Sequence, residues 1–178
     1  GQGGNLYTSS VCEITMNGGS IQGGICYGEG KNGGNISLNN ADAIFTMNGG
    51  SIVGGVSYNY AGNVYCAGQF IMNSGYIGSG ALMKYGKNER NTSGNSYNMM
   101  VANGHLTLWG GTINGGVSIQ DSKADGGYQT QLNIYGWAKV HGDENGKNLT
   151  IVKGGDDVVV NVGTLYNGAD IYVNASGI

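Results

Sequence analysis

The side chains best suited to gripping a ligand in this sequence are aromatic. Trp109 and Tyr135 fall at a position of a recurring segment where earlier copies carry Asn17, Asn48 and Asn73. Tyr76 stands where other copies have Ser20, Ser51 and Thr112, and by the same alignment Trp137 takes the place of Gly111. Ring faces pack on C–H surfaces, and sugars present such surfaces together with hydroxyls that amides can bind. An exposed strip of Tyr and Trp rimmed by Asn, Gln and Lys would therefore make a glycan platform. The same rings could instead pack against loops or cap the fold, as half-buried Tyr and Trp often do. The polar stretch Lys84-Tyr85-Gly86-Lys87-Asn88-Glu89-Arg90-Asn91 holds the only arginine. It is either a solvated insertion or a loop that adds Tyr85, Lys87 and Arg90 to the same face.

Catalytic and metal chemistry have weaker support. General acid–base work needs carboxylates held in distinct environments, and the pairs on offer are Asp121 with Asp125, Asp143 with Glu144, and Asp156 with Asp157. Each lies in a Gly-rich or polar turn, which predicts solvated turn carboxylates. Cys12, Cys26 and Cys66 are odd in number and form no Cys-x-x-Cys pair, with only His105 and His141 as imidazole partners. That argues against a zinc site or a disulfide framework. Gly154-Gly155-Asp156-Asp157-Val158 faintly resembles a calcium-binding nonapeptide but occurs once, which leaves calcium unassigned. No catalytic residue and no cofactor is expected.

Composition narrows the partners. The 178 residues fit one domain, and nothing in the middle reads as a linker. The 37 glycines come with no proline, no Gly-X-Y period and 39% hydrophobic residues, so they predict many tight corners around a core rather than collagen or disorder. Charged residues make up 11% of the chain at a net charge of −3, which provides no basic stripe for a nucleic-acid backbone. No apolar run approaches the roughly 20 residues of a membrane span. The lack of an initiator Met or leader predicts a module excised from a longer, processed protein.

The elements that must position the aromatic residues come from an internal repeat. Ile14-Thr15-Met16-Asn17-Gly18-Gly19-Ser20-Ile21 returns as Phe45-Thr46-Met47-Asn48-Gly49-Gly50-Ser51-Ile52, identical at seven of eight positions. It drifts through Phe70-Ile71-Met72-Asn73-Ser74-Gly75-Tyr76-Ile77 and Leu106-Thr107-Leu108-Trp109-Gly110-Gly111-Thr112-Ile113, with weaker copies beginning at Leu132 and Leu149. Spacings between Met16, Met47, Met72, Leu108, Ile134 and Ile151 are 31, 25, 36, 26 and 17 residues. Within each copy apolar residues alternate, the period-two signal of a strand with one buried face, and Gly-Gly supplies the corner. Second strands are expected at 21–27, 52–58, 77–83 and 113–119, and third strands at 35–38, 63–66 and 97–101. Residues 158–162 and 171–173 read as edge strands that need a cap or partner.

The fold class expected is all-β: a right-handed single-stranded parallel β-helix (β-solenoid) of about six irregular rungs. One domain spans 1–178, with clear repeats over 11–120 and degenerate rungs and a cap over 121–178. Ile14, Phe45, Phe70, Leu106, Leu132 and Leu149 should stack inside, beside Met16, Met47, Met72, Leu108, Ile134 and Ile151. Cys12 and Cys66 should behave as small buried apolar residues.

The unit Thr-Met-Asn-Gly-Gly-Ser-Ile-x-Gly-Gly, at 15–24 and 46–55, resembles repeats of secreted and surface β-helix proteins of gut bacteria. More narrowly, the chain resembles a β-helical carbohydrate-binding module appended to a xylanase-type plant-polysaccharide hydrolase. That resemblance rests on fold and aromatic content, without a diagnostic motif. It implies a secreted or cell-surface, non-catalytic module that binds a polysaccharide, xylan first, and is covalently linked to a catalytic domain. The alternative is a structural adhesin or stalk segment of a bacterial surface protein. β-Helix lyases resemble longer solenoids with clustered carboxylates. An ice-binding face would need an unbroken Thr ladder, and here Ile71 and Asn133 interrupt Thr15, Thr46 and Thr107.

Overall fold

The computed structural model describes residues 3–28, 32–83, 97–121, 129–142, 148–152 and 158–176. Alternating apolar residues broken by glycine produce short strands joined by corners, and the chain coils. The first turn is β1 (Leu6–Thr8), β2 (Glu13–Met16), β3 (Ser20–Gln22) and β4 (Ile25–Cys26). The second is β5 (Ile36–Leu38), β6 (Ile44–Met47), β7 (Ser51–Val53) and β8 (Val56–Ser57). The third is β9 (Ala61–Cys66), β10 (Gln69–Met72), β11 (Tyr76–Gly78) and β12 (Ala81–Leu82). The fourth is β13 (Tyr97–Ala102), β14 (His105–Leu108) and β15 (Thr112–Asn114). The fifth is β16 (Val117–Gln120), β17 (Gln131–Gly136) and β18 (Lys139–His141). The sixth is β19 (Leu149–Val152), β20 (Val159–Leu165) and β21 (Asp170–Ile171), after which β22 (Val173–Ser176) rejoins the first sheet.

Equivalent strands pair in parallel into four sheets: β1-β5-β9-β13-β16-β19-β22, β2-β6-β10-β14-β17-β20, β3-β7-β11-β15-β18-β21 and β4-β8-β12. This is a parallel β-solenoid. The expected second strands are each broken in two by a further corner, so 21–27 divides into β3 and β4 around Gly23-Gly24. After the third turn the fourth sheet ends, and Gly115-Gly116 leads from β15 directly into β16 of the first sheet.

Inward residues of three sheets meet in one core. Phe45 and Phe70 stack at 5.1 Å with planes 9° apart. Each is fully buried, which favours folding by roughly 1.5–3 kcal/mol per ring. The Met and Gly of the repeat are paired across rungs. Gly75 has φ +106°, and a Cβ there would come within 2.6 Å of the Met47 Cε. The corner is therefore glycine both for its left-handed backbone and because the thioether of the rung below fills the space. Cys66 is fully buried and Cys12 packs at the edge of the core; none of the three cysteines forms a disulfide.

An amide ladder, buried from Asn35 to Asn98, supports the corner between the third or fourth sheet and the first. Asn5 donates through Nδ2 to Asn35 Oδ1 at 2.7 Å, Asn35 likewise to Asn63 at 2.7 Å, and Asn63 to Asn98 at 2.5 Å. The same Oδ1 atoms accept from the backbone N–H of Gly24, Gly55 and Gly80. Two expectations change. Leu149 and Ile151 do not continue the Met16 stripe: they pair with Val117 and Ile119 of the first sheet, and the stripe continues through Val160 and Val162. Asp121, expected as a solvated turn carboxylate, is buried. The stretch 158–162 does form an edge, with Val162 of β20 61% exposed at the end of the second sheet.

Candidate functional site

The second sheet ends at a corner whose first residue is set by the register of the methionine before it. Asn48 and Asn73 donate their backbone N–H to the carbonyls of Met16 and Met47 at 2.8 Å, and Trp109 donates to Met72 at 2.9 Å. Three rungs therefore carry an amide ladder, in which Asn48 Nδ2 donates to Asn17 Oδ1 at 2.8 Å and Asn73 Nδ2 to Asn48 Oδ1 at 2.7 Å. The next two rungs replace amides with rings, because Leu108 is in register with Ile134 and so brings Trp109 over Tyr135. Those rings stack at 4.3 Å with planes 22° apart. Gly163 of β20 lies on the other side of Tyr135, where a Cβ would overlap the ring.

Trp137 is not where the alignment puts it. Lys139 pairs with Thr112, so the fifth rung has one residue more than the fourth between the core stripe and the third sheet. Gly136 absorbs it, with φ +64° and its Cα so close to the Trp109 carbonyl that a side chain would collide. The Trp137 N–H donates to that carbonyl at 3.0 Å, and the indole turns outward to meet Tyr166 at 4.5 Å and 41°. No feature of the sequence marks Tyr166, which sits in a turn where the N–H of Ala169 donates to its carbonyl.

The two ring pairs border a cleft of about 580 Å³, whose lining also includes Asn73 of the third turn and Gly163 and Thr164 of the sixth. Trp109 is 49% exposed, Trp137 59% and Tyr166 50%. Among the described residues, the lining carries no carboxylate, ammonium or guanidinium. It can offer apolar ring surface with amide and hydroxyl hydrogen bonds, which suits a neutral polyhydroxylated ligand.

Tyr76 does take the position of Ser51 and Thr112, but it belongs to the third sheet and is absent from the cleft lining. Its ring lies against Gly78, and its hydroxyl accepts from Asn114 Nδ2 at 3.3 Å. Tyr85, Lys87 and Arg90 lie outside the described residues, as do Asp125, Asp143, Glu144 and the 154–157 segment considered for calcium. Among the described residues, no group of three or more His, Cys, Asp or Glu side chains is placed to hold a metal ion. His141 Nε2 and Asp170 Oδ2 are 3.5 Å apart on the exposed side of the third sheet. No family model, curated protein or solved structure matches this chain.

Proposed function

We propose that this protein is a non-catalytic carbohydrate-binding module that holds a neutral plant cell-wall polysaccharide, with xylan first among the candidates, in the aromatic cleft. The observation that carries this reading is the replacement of the amide ladder by the stacked Trp109–Tyr135 pair, beside a second, tilted pair of Trp137 and Tyr166, around a concavity whose described lining is uncharged. Trp109 and Trp137 supply ring surface for sugar C–H faces. Asn73 and Thr164 supply hydrogen bonds to hydroxyls, and the rigid stack fixes both before the ligand arrives, which lowers the entropic cost of binding. The resemblance to modules of plant-polysaccharide hydrolases fits an extracellular protein linked to a catalytic domain.

A stalk or adhesin segment is the second reading. It is favoured by the ladders themselves, since the ring stack and the buried amides both strengthen contact between neighbouring rungs and need no ligand. Affinity electrophoresis through xylan, cellulose, mannan, pectin and starch, beside an inert protein of similar charge, separates the two. Selective retardation by one polymer that Trp109→Ala weakens, at nearly unchanged melting temperature, supports the binding module. No retardation by any polymer supports the stalk.

A further inference from the structure

We infer that the protein carries a second site for the same class of neutral glycan, built on Tyr27, Tyr58 and Tyr60 on the other side of the solenoid; this rests on the binding reading of the cleft. The register of β4 with β8 pairs Cys26 with Ser57, so Tyr27 and Tyr58 follow at equivalent positions of successive rungs. Their rings stack at 5.0 Å with planes 28° apart, and Tyr27 is 66% exposed. One rung on, Tyr60 stacks on Tyr65 at 5.7 Å and is 42% exposed. Tyr65 in turn packs on a small cluster of Ala61, Met100 and Ala102 separate from the main core. That cluster anchors the pair as Gly163 anchors Tyr135.

The chemistry repeats that of the cleft. Stacked rings stand beside amides, with Asn59 between Tyr58 and Tyr60 in the sequence and its Nδ2 within 3.5 Å of Asn32 Oδ1. The Tyr58 phenol is held above its ordinary pKa by desolvation and then by Tyr27. Its placement differs. The cleft lies between the second and third sheets on the third to sixth turns. The tyrosines lie between the fourth and first sheets on the first to third turns. Two sites on different sides of a rigid rod engage different polymer strands, so the protein should bridge chains rather than clamp one.

The test uses soluble xylan and three proteins: wild type, Trp109→Ala/Trp137→Ala and Tyr27→Ala/Tyr58→Ala, each checked by far-UV circular dichroism. Wild type should be retarded and should make the xylan solution turbid. The tryptophan variant should keep weakened retardation without turbidity, and its tyrosine absorbance should still shift when xylan is added. The tyrosine variant should be retarded through the cleft and lose the turbidity. If the tryptophan variant shows neither retardation nor a tyrosine shift while wild type is retarded, the second site is refuted and the cleft stands. If the tyrosine variant gives wild-type turbidity, the second site is likewise refuted. If wild type itself is not retarded, both readings fall.

Discussion

Asn63 offers the sharpest test of how the rungs are held together. It is fully buried, and its side chain makes four hydrogen bonds. Oδ1 accepts from Asn35 Nδ2 at 2.7 Å and from the Gly55 N–H at 2.9 Å, while Nδ2 donates to the Gly78 carbonyl at 2.7 Å and to Asn98 Oδ1 at 2.5 Å. In Asn63→Ala the two acceptors keep second partners, since Gly54 still donates to Gly78 and Gly80 to Asn98. The Gly55 N–H and one Asn35 proton lose theirs. Two orphaned buried donors at about 1–3 kcal/mol each give a loss of about 2–6 kcal/mol. For a chain of this size that is a fall in melting temperature on the order of 10 °C.

Asn48→Ala, in the exposed ladder, should cost under about 1 kcal/mol, because water replaces what is lost. Asn63→Asp adds a sign. Its carboxylate still serves the two donors but faces two acceptors, so folding raises its pKa. Its destabilisation should be full at neutral pH and should ease as pH falls through that raised value. Urea unfolding followed by circular dichroism at pH 7 and pH 5 measures all three variants. An Asn63→Ala variant no less stable than Asn48→Ala would refute the ladder as a structural device.

Three further outcomes follow from the same geometry. Gly136→Ala should weaken xylan binding at least ten-fold and lower stability, because a Cβ at φ +64° would strike the Trp109 carbonyl and shift Trp137; affinity electrophoresis with a thermal melt checks it. Phe70→Ala should cost about 3–5 kcal/mol by leaving a cavity against Phe45, read by urea unfolding. Burial pushes the Cys66 thiol from 9.0 up to about 12. The fold therefore favours its neutral form, and that stability is full below pH 9 and lost at about 1.4 kcal/mol per pH unit as pH rises toward 12. Denaturation midpoints from pH 8 to 11 should fall in wild type and fall less in Cys66→Val, and the Cys66 thiol should resist alkylation at pH 8 until the chain unfolds.

The solenoid is legible in the sequence because the Thr-Met-Asn-Gly-Gly unit repeats nearly unchanged and its alternation fixes which side chains point inward. Wherever the core stripe is intact, the corner residue can be counted from it, and the Trp109–Tyr135 stack follows. Trp137 departs from its aligned position because the one-residue bulge sits at Gly136, which aligns with Gly110 and so reads as an ordinary corner glycine. Leu149 and Ile151 join the first sheet although their pattern fits the second, because Leu-Thr-Ile-Val alternates equally well in either. The cue was the short spacing of 17 residues, since the true successor, Val162, follows Ile134 by 28. The buried amide ladder had its own signal in Gly3-Gly4-Asn5, Gly33-Gly34-Asn35 and Ala61-Gly62-Asn63, which a search for strands reads only as strand starts. Tyr166 carried no signal, since a turn tyrosine meets Trp137 only through the fold.

Both tryptophans of the chain border the cleft, so tryptophan emission reports on that site and on no other. The decisive measurement is an emission titration with soluble xylan, followed by any other polymer that retards the protein. A saturable change with the affinity seen by electrophoresis, lost in Trp109→Ala, is the result expected of a glycan held between the ring pairs. Retardation with no change in emission would place binding elsewhere and contradict the assignment of the cleft.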